Sequence, residues 1–333
     1  MVVPFHSNNF AVSFAAVAMI TSGELWTDTD GAQIRAHGAG LLTISSNASS
    51  HGYLFVWYGA DHYRMPNHTL TARPNRRINA YSSSDLATWK SHGAVFDMPC
   101  EQLDLRHGCY VDRPKVLRDA TGKRYVMFLK STPYLAVATS ASPFGPFKLR
   151  ARWRPGGVDV GDIGACYDPR TRHAYLVYSV KPATPSEKRM LHVAQLTDHH
   201  FTNISKIVST VPYAREAPAP FIIDGDKYYI WTSRPSGWHP NAAELFSAQS
   251  MEGPWKSVGN PTSSADSFNS QVSFILTLPR PLKGFVYVAD RFSPWINTSE
   301  SGRYVWLKGV LPPFGSPRVA WRDRWSAFGG TAS

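Results

Sequence analysis

Three acidic residues open short segments of similar make-up: Asp112 in Cys109-Tyr-Val-Asp112-Arg-Pro-Lys115, Asp162 in Val160-Gly-Asp162-Ile-Gly-Ala-Cys-Tyr-Asp168, and Glu216 in Ala214-Arg-Glu216-Ala-Pro-Ala-Pro220. Carboxylates gathered into one funnel suit the hydrolysis of a glycosidic bond, which passes through an oxocarbenium-like state. One acid must protonate the leaving oxygen. A second group activates water from the opposite face, at roughly 6.5–9.5 Å when configuration inverts. A third carboxylate keeps the acid protonated by like-charge repulsion. Spacing alone leaves plainer roles open: an ion pair of Asp112 with Arg113, a turn cap by Asp162 after Gly161, and an exposed salt bridge of Glu216 with Arg215.

Such a funnel needs elements that aim several strand starts at one axis. Aromatic-rich strands read at residues 53–58 (YLFVWY), 125–129 (YVMFL), 174–178 (AYLVY), 228–232 (YYIWT) and 285–289 (FVYVA). Partner strands follow at 80–83, 135–139, 191–196, 243–248 and 304–307. The closing turns also repeat: residues 140–147 and 249–255 each carry a Gly-Pro-aromatic corner, and residues 84–89 share the shape without the proline. Amphipathic helical periodicity is missing throughout. The pattern predicts an all-β chain and a five-bladed β-propeller, each unit a four-stranded blade that must stack on its neighbours to bury both faces. A two-sheet sandwich is the structural competitor.

At 333 residues the chain is long enough to bury its core without staples. Its 11 Trp, 15 Tyr and 17 Phe favour strands and offer stacking platforms for sugars. The formal charge of +11 raises nucleic acid as a partner, but Lys and Arg are scattered singly or in pairs, and no zinc-finger, helix-turn-helix or RNA-recognition spacing occurs. A basic surface suited to an acidic polysaccharide is the better reading. Cys100, Cys109 and Cys166 do not make a disulfide framework; their spacing leaves one bridge, Cys100 to Cys109, open. The apolar run at 10–20 reads either as a signal peptide without a basic leader or as a strand that closes the propeller. It is too short to span a bilayer. Sequons at Asn47, Asn67, Asn203 and Asn297 agree with a secretory or extracellular location. The expected layout is a leader or closing strand at 1–23, a catalytic propeller at 24–326 and a short tail at 327–333.

The segment from Asp162 to Asp168 followed by AYLVYS, and Glu216-Ala-Pro followed by YYIWTS, resemble the third-blade and general-acid motifs of glycoside hydrolase family 43. That family consists of five-bladed propellers acting with inversion. The resemblance is closest to its exo-β-1,3-galactanase branch, through Asp28-Thr-Asp30-Gly31, Ala36-His37-Gly38, Trp57-Tyr58-Gly59, Arg113-Pro-Lys115, Gly237-Trp238-x-Pro240-Asn241 and Phe268-Asn-Ser-Gln271. It implies Glu216 as general acid and Asp162 as the residue that tunes it. The family's first-blade base has no counterpart, since His37-Gly-Ala-Gly40 stands there, and the branch's last-blade Gln is matched by Gln271. Asp112, Trp238, Asn241, His37 and Tyr134 would bind the sugar, with Trp238 as its stacking platform. Asp112 stands where the branch has Glu, one methylene longer, and Ala60-Asp61 where it places Glu. Both departures weaken the galactan specificity more than the hydrolysis. The rivals are a binding propeller that has lost its base, and an α-L-arabinofuranosidase or β-xylosidase on the same scaffold. The resemblance implies a polysaccharide or oligosaccharide substrate and a mechanism that needs no cofactor or metal; no membrane partner and a monomer are expected.

Overall fold

The computed structural model describes residues 17–49, 51–61, 76–100, 109–182, 184, 189–237, 239–291, 303–313 and 315–328. After a short strand β1 (Ile20–Thr21), blade I is built from β2 (His37–Ser45), β3 (Tyr53–Ala60), β4 (Arg77–Ser83) and β5 (Lys90–Asp97). Blade II comprises β6 (Asp112–Arg118), β7 (Tyr125–Ser131), β8 (Tyr134–Ser140) and β9 (Lys148–Trp153). Blade III comprises β10 (Asp159–Asp168), β11 (His173–Lys181), β12 (Met190–Leu196) and β13 (Ile204–Val211). Blade IV comprises β14 (Glu216–Ile223), β15 (Lys227–Ser233), β16 (Glu244–Ala248) and β17 (Lys256–Ser257). Blade V comprises β18 (Gln271–Thr277), β19 (Phe285–Arg291), β20 (Arg303–Val310) and β21 (Arg318–Val319), and β22 (Arg324–Trp325) follows it. Each blade is an antiparallel sheet in sequence order, so the chain is the expected five-bladed propeller.

The aromatic strands are not the first strands of their blades, as the sequence pattern has them, but the second. Each is preceded by an inner strand that the sequence disguises. Pro114 in β6 and Pro218 and Pro220 in β14 would spoil a central strand. An inner strand has one edge turned to the channel, where a missing N–H costs little. Glycine lets these inner strands approach: a Cβ on Gly40 would lie 2.2 Å from the Pro114 carbonyl oxygen, and one on Gly164 would lie 2.1 Å from that of Pro218.

The apolar core lies between blades. Five buried clusters fill the I–V, I–II, II–III, III–IV and IV–V seams. The I–V seam is the most aromatic, with Trp57 ring-to-ring at 4.9 Å from Trp306 and 4.7 Å from Tyr304, and Trp26 at 5.2 Å from Trp306. Beside it β1 pairs antiparallel with β22, Ile20 opposite Trp325. The pair joins Ile20, the last residue of the apolar run, to the segment that follows blade V; residues 1–16 lie outside the described set. Cys100 and Cys109 form the disulfide that spacing left open, with Cα atoms 5.4 Å apart.

All five inner strands slip register near their starts, between His37 and Gly40, Asp112 and Lys115, Val160 and Ile163, Glu216 and Ala219, and Val272 and Phe274. A bulge of this kind breaks the in–out alternation and re-aims side chains. Gly38, Arg113 and Ala217 reach positive φ inside these bulges, at 66°, 49° and 49°. The residues singled out by chemistry sit in or beside them.

Candidate active site

Arg113 is the hub of the centre. Its backbone N–H donates to Asp112 Oδ1 at 2.7 Å, but its guanidinium leaves blade II altogether. Nε lies 3.1 Å from Asp162 Oδ1 in blade III, Nη2 donates to Gln271 Oε1 at 2.5 Å, and Nη1 donates to the Val272 carbonyl at 3.1 Å in blade V. The ion pair that adjacency suggested for Arg113 is thus formed with Asp162.

Asp162 is buried and ringed by donors. Lys130 Nζ donates to its Oδ1 at 2.6 Å, and the Ala217 N–H donates to Oδ2 at 3.1 Å. Burial works to raise its pKa, but the charges of Arg113 and Lys130 overrule it and hold the carboxyl well below its usual range. It is an anion at any working pH. The adjacent blade treats Glu216 the opposite way. Burial first, and the Asp162 charge second, raise its pKa, against the pull of Arg113, Arg189 and Lys130. Gln271 Nε2 donates to Glu216 Oε1 at 3.2 Å and Arg189 Nη1 to Oε2 at 3.4 Å. Two neighbouring carboxyls pushed apart in pKa are the electrostatic condition for one acid and one permanent anion.

Gln271 links the two sides, its nitrogen also donating to Ser233 Oγ at 2.9 Å. It lines a shallow, open cleft with Gly237, His239, Pro240, Asn269 and Asp290. Asp290, opposite Gln271 across the β18–β19 pair, accepts hydrogen bonds from the Gly38 N–H at 3.0 Å and Ser273 Oγ at 2.7 Å. His37 Nδ1 stands 3.4 Å from its other oxygen, buried at 1 % exposure. Below them Lys115 donates to the carbonyls of Gly38, Ala39 and Pro114 at 2.9, 2.8 and 3.2 Å. Burial and Arg113 push its ammonium down to about 7.

The structure brings together Glu216, Asp162 and Gln271 directly, with Asp112 and His37 on the adjoining bulges. Asp112 Oδ2 accepts from Tyr110 Oη at 2.8 Å. Asn241 also closes its own loop: Nδ2 donates to the Arg234 carbonyl and Ser236 Oγ, and Oδ1 accepts the Arg234 N–H. Tyr134 has one ring face covered by Arg152, whose guanidinium carbon is 3.8 Å from the centroid. Trp238 lies outside the described residues. Sequence reasoning missed Lys130, Arg189, Ser233 and Asp290, whose partners are 17 or more residues away. Arg113 stood in a quoted phrase without a role. Among the described residues no group of three or more His, Cys, Asp or Glu side chains is placed to hold a metal ion, and no helix is long and apolar enough to cross a membrane.

The profile of the glycosyl hydrolases family 43 matches residues 54–273, from the second residue of β3 to the start of β18. Among solved structures, an exo-β-1,3-galactanase from Phanerochaete chrysosporium with galactose is similar at 30% identity and a TM-score of 0.76, over 92% of this chain and 68% of that one. An exo-β-1,3-galactanase from Clostridium thermocellum is similar at 26% identity and 0.76, over 92% and 66%. A β-1,3-galactosidase solved with galactodeoxynojirimycin is similar at 27% identity and 0.77, over 92% and 99%. No curated protein matches the chain.

Proposed function

The chain belongs to glycosyl hydrolases family 43 and is a glycoside hydrolase, and on that premise we propose that it removes galactose from the end of β-1,3-galactan with inversion. The specificity rests on similarity to two exo-β-1,3-galactanases and a β-1,3-galactosidase, each matched over more than nine-tenths of this chain. The chemistry rests on one observation above all: Glu216 has its pKa raised by burial and by Asp162, while Asp162 is pinned as an anion. In the reading we favour, Glu216 gives its proton to the leaving glycosidic oxygen. Asp162 keeps it protonated until then and stabilises the developing positive charge. Gln271 positions the attacking water, and Asp112 binds a sugar hydroxyl. We also infer a role in polysaccharide breakdown in a secretory or extracellular setting; the Cys100–Cys109 disulfide supports an oxidising compartment.

The test is sugar release from β-1,3-galactan by the wild type and by Glu216→Gln, beside arabinoside and xyloside substrates. Galactose release that falls by about 100-fold or more in the variant is expected for loss of a general acid. Release of arabinose or xylose instead would overturn the specificity, and an unimpaired variant would overturn the acid.

A further inference from the structure

Arginine carries only donors, so the Gln271 atom that meets Arg113 Nη2 at 2.5 Å has to be the amide oxygen. That contact dictates which end of the amide faces Glu216. With Oε1 committed to the guanidinium, Nε2 is left to donate to Glu216 Oε1 and Ser233 Oγ. The same guanidinium holds Asp162 through Nε and is anchored by Nη1 on the Val272 carbonyl, in the strand that carries Gln271. Three donors of one planar group thus fix, in one rigid frame, the anion that tunes Glu216 and the amide that donates to it. Lysine offers a single charged centre and cannot reproduce that fork. Arg113 sits in the β6 bulge at a φ of 49° with 4 % exposure, so its side chain is aimed by a backbone conformation that a regular strand does not provide.

We propose that Arg113 is the positioning residue of the hydrolytic site: by holding the Gln271 oxygen and Asp162 together it fixes the water side of the reaction relative to the acid side. This rests on the reading of Glu216 as acid and Gln271 as the amide that positions water. A misplaced water lowers turnover more than it lowers binding.

The experiment is a cycle of Arg113→Lys, Gln271→Ala and the double variant, assayed on β-1,3-galactan with kcat and KM separated. Arg113→Met is added for the pH profile, and thermal unfolding checks the fold. Arg113→Lys should lower kcat about 10- to 100-fold, the cost of an ångström-scale misplacement, with KM within about threefold of wild type. Adding Gln271→Ala to it should cost less than about threefold more, because the amide has already lost its orientation. Removing the Arg113 charge raises the pKa of Glu216, so in Arg113→Met the basic limb of kcat/KM should move to higher pH. If Arg113→Met does not fold, the Arg113→Lys cycle decides alone. Losses that multiply in the double variant, or a wild-type kcat in a folded Arg113→Lys, overturn the inference while leaving the hydrolase reading intact. A wild type that cleaves no β-1,3-galactan overturns the galactanase reading itself.

Discussion

The seam between blades I and V and the hub of the propeller are both buried, yet they are built from opposite materials. The seam packs Trp26, Trp57, Trp89, Tyr304 and Trp306 at T-shaped and tilted angles, its area apolar apart from a few hydrogen bonds to backbone from Tyr304 Oη and Trp26 Nε1. The hub gathers Arg113 and Lys115 among Asp112, Asp162, Asp290 and Glu216. Buried charges cost desolvation that their pairing only partly returns, whereas each aromatic contact adds about 0.5–1.5 kcal/mol to its area burial. The difference separates labour: the ring is held shut by the seam, and that surplus tolerates a centre arranged for chemistry.

That division can be broken from either side. The largest effect is expected from Trp57→Ala, which should destabilise the fold by about 3–5 kcal/mol. Denaturant unfolding measures that loss, and kcat at low temperature should stay near wild type. A fall in kcat without a fall in stability would mean that seam and hub are not separable.

A smaller effect tests the two ends of a single strand. Asp162 and Asp168 both lie on β10 and both are held ionised, but Asp168 serves the turn, accepting from Tyr228 Oη at 2.9 Å and the Arg170 N–H at 2.8 Å. Burial opposes its ionisation, and those hydrogen bonds prevail to lower its pKa. Its contribution to stability is therefore complete above the unfolded carboxyl's pKa of about 4 and fades as pH falls below it. Asp168→Asn should cost about 1–2 kcal/mol at neutral pH, flatten the acid side of the stability–pH curve, and leave turnover unchanged.

The smallest shift is the most diagnostic. Asp162→Asn removes the negative charge that raises Glu216, so the basic limb of kcat/KM should move to lower pH. A limb that stays in place would mean that burial alone raises the Glu216 carboxyl.

What could be read from the sequence divides along the same line. The aromatic strands announce themselves because their composition suits buried sheets, and Glu216, Asp162 and Gln271 stand in short phrases with a recognisable shape. The inner strands do not, since prolines in β6 and β14 look like loops until an open edge is known to accept them. Nor do the roles of Lys130, Arg189 and Arg113, because a cation's partner is chosen in space: Arg113 touches Gln271 from 158 residues away. Asn241 likewise hides part of its role, since its amide also closes its own loop through Arg234 and Ser236.

The bulge repeated at the head of every inner strand gives the hub five equivalent sockets around one axis, occupied here by His37, Asp112, Asp162, Glu216 and, next to the fifth slip, Gln271. A group lost from one socket can be replaced from another, since all of them address the same central space. An imidazole at the first bulge and an amide beside the last are then different tenants of a fixed ring. The architecture thus presents one side chain from each blade to the centre, and the identity of each is free to differ from blade to blade.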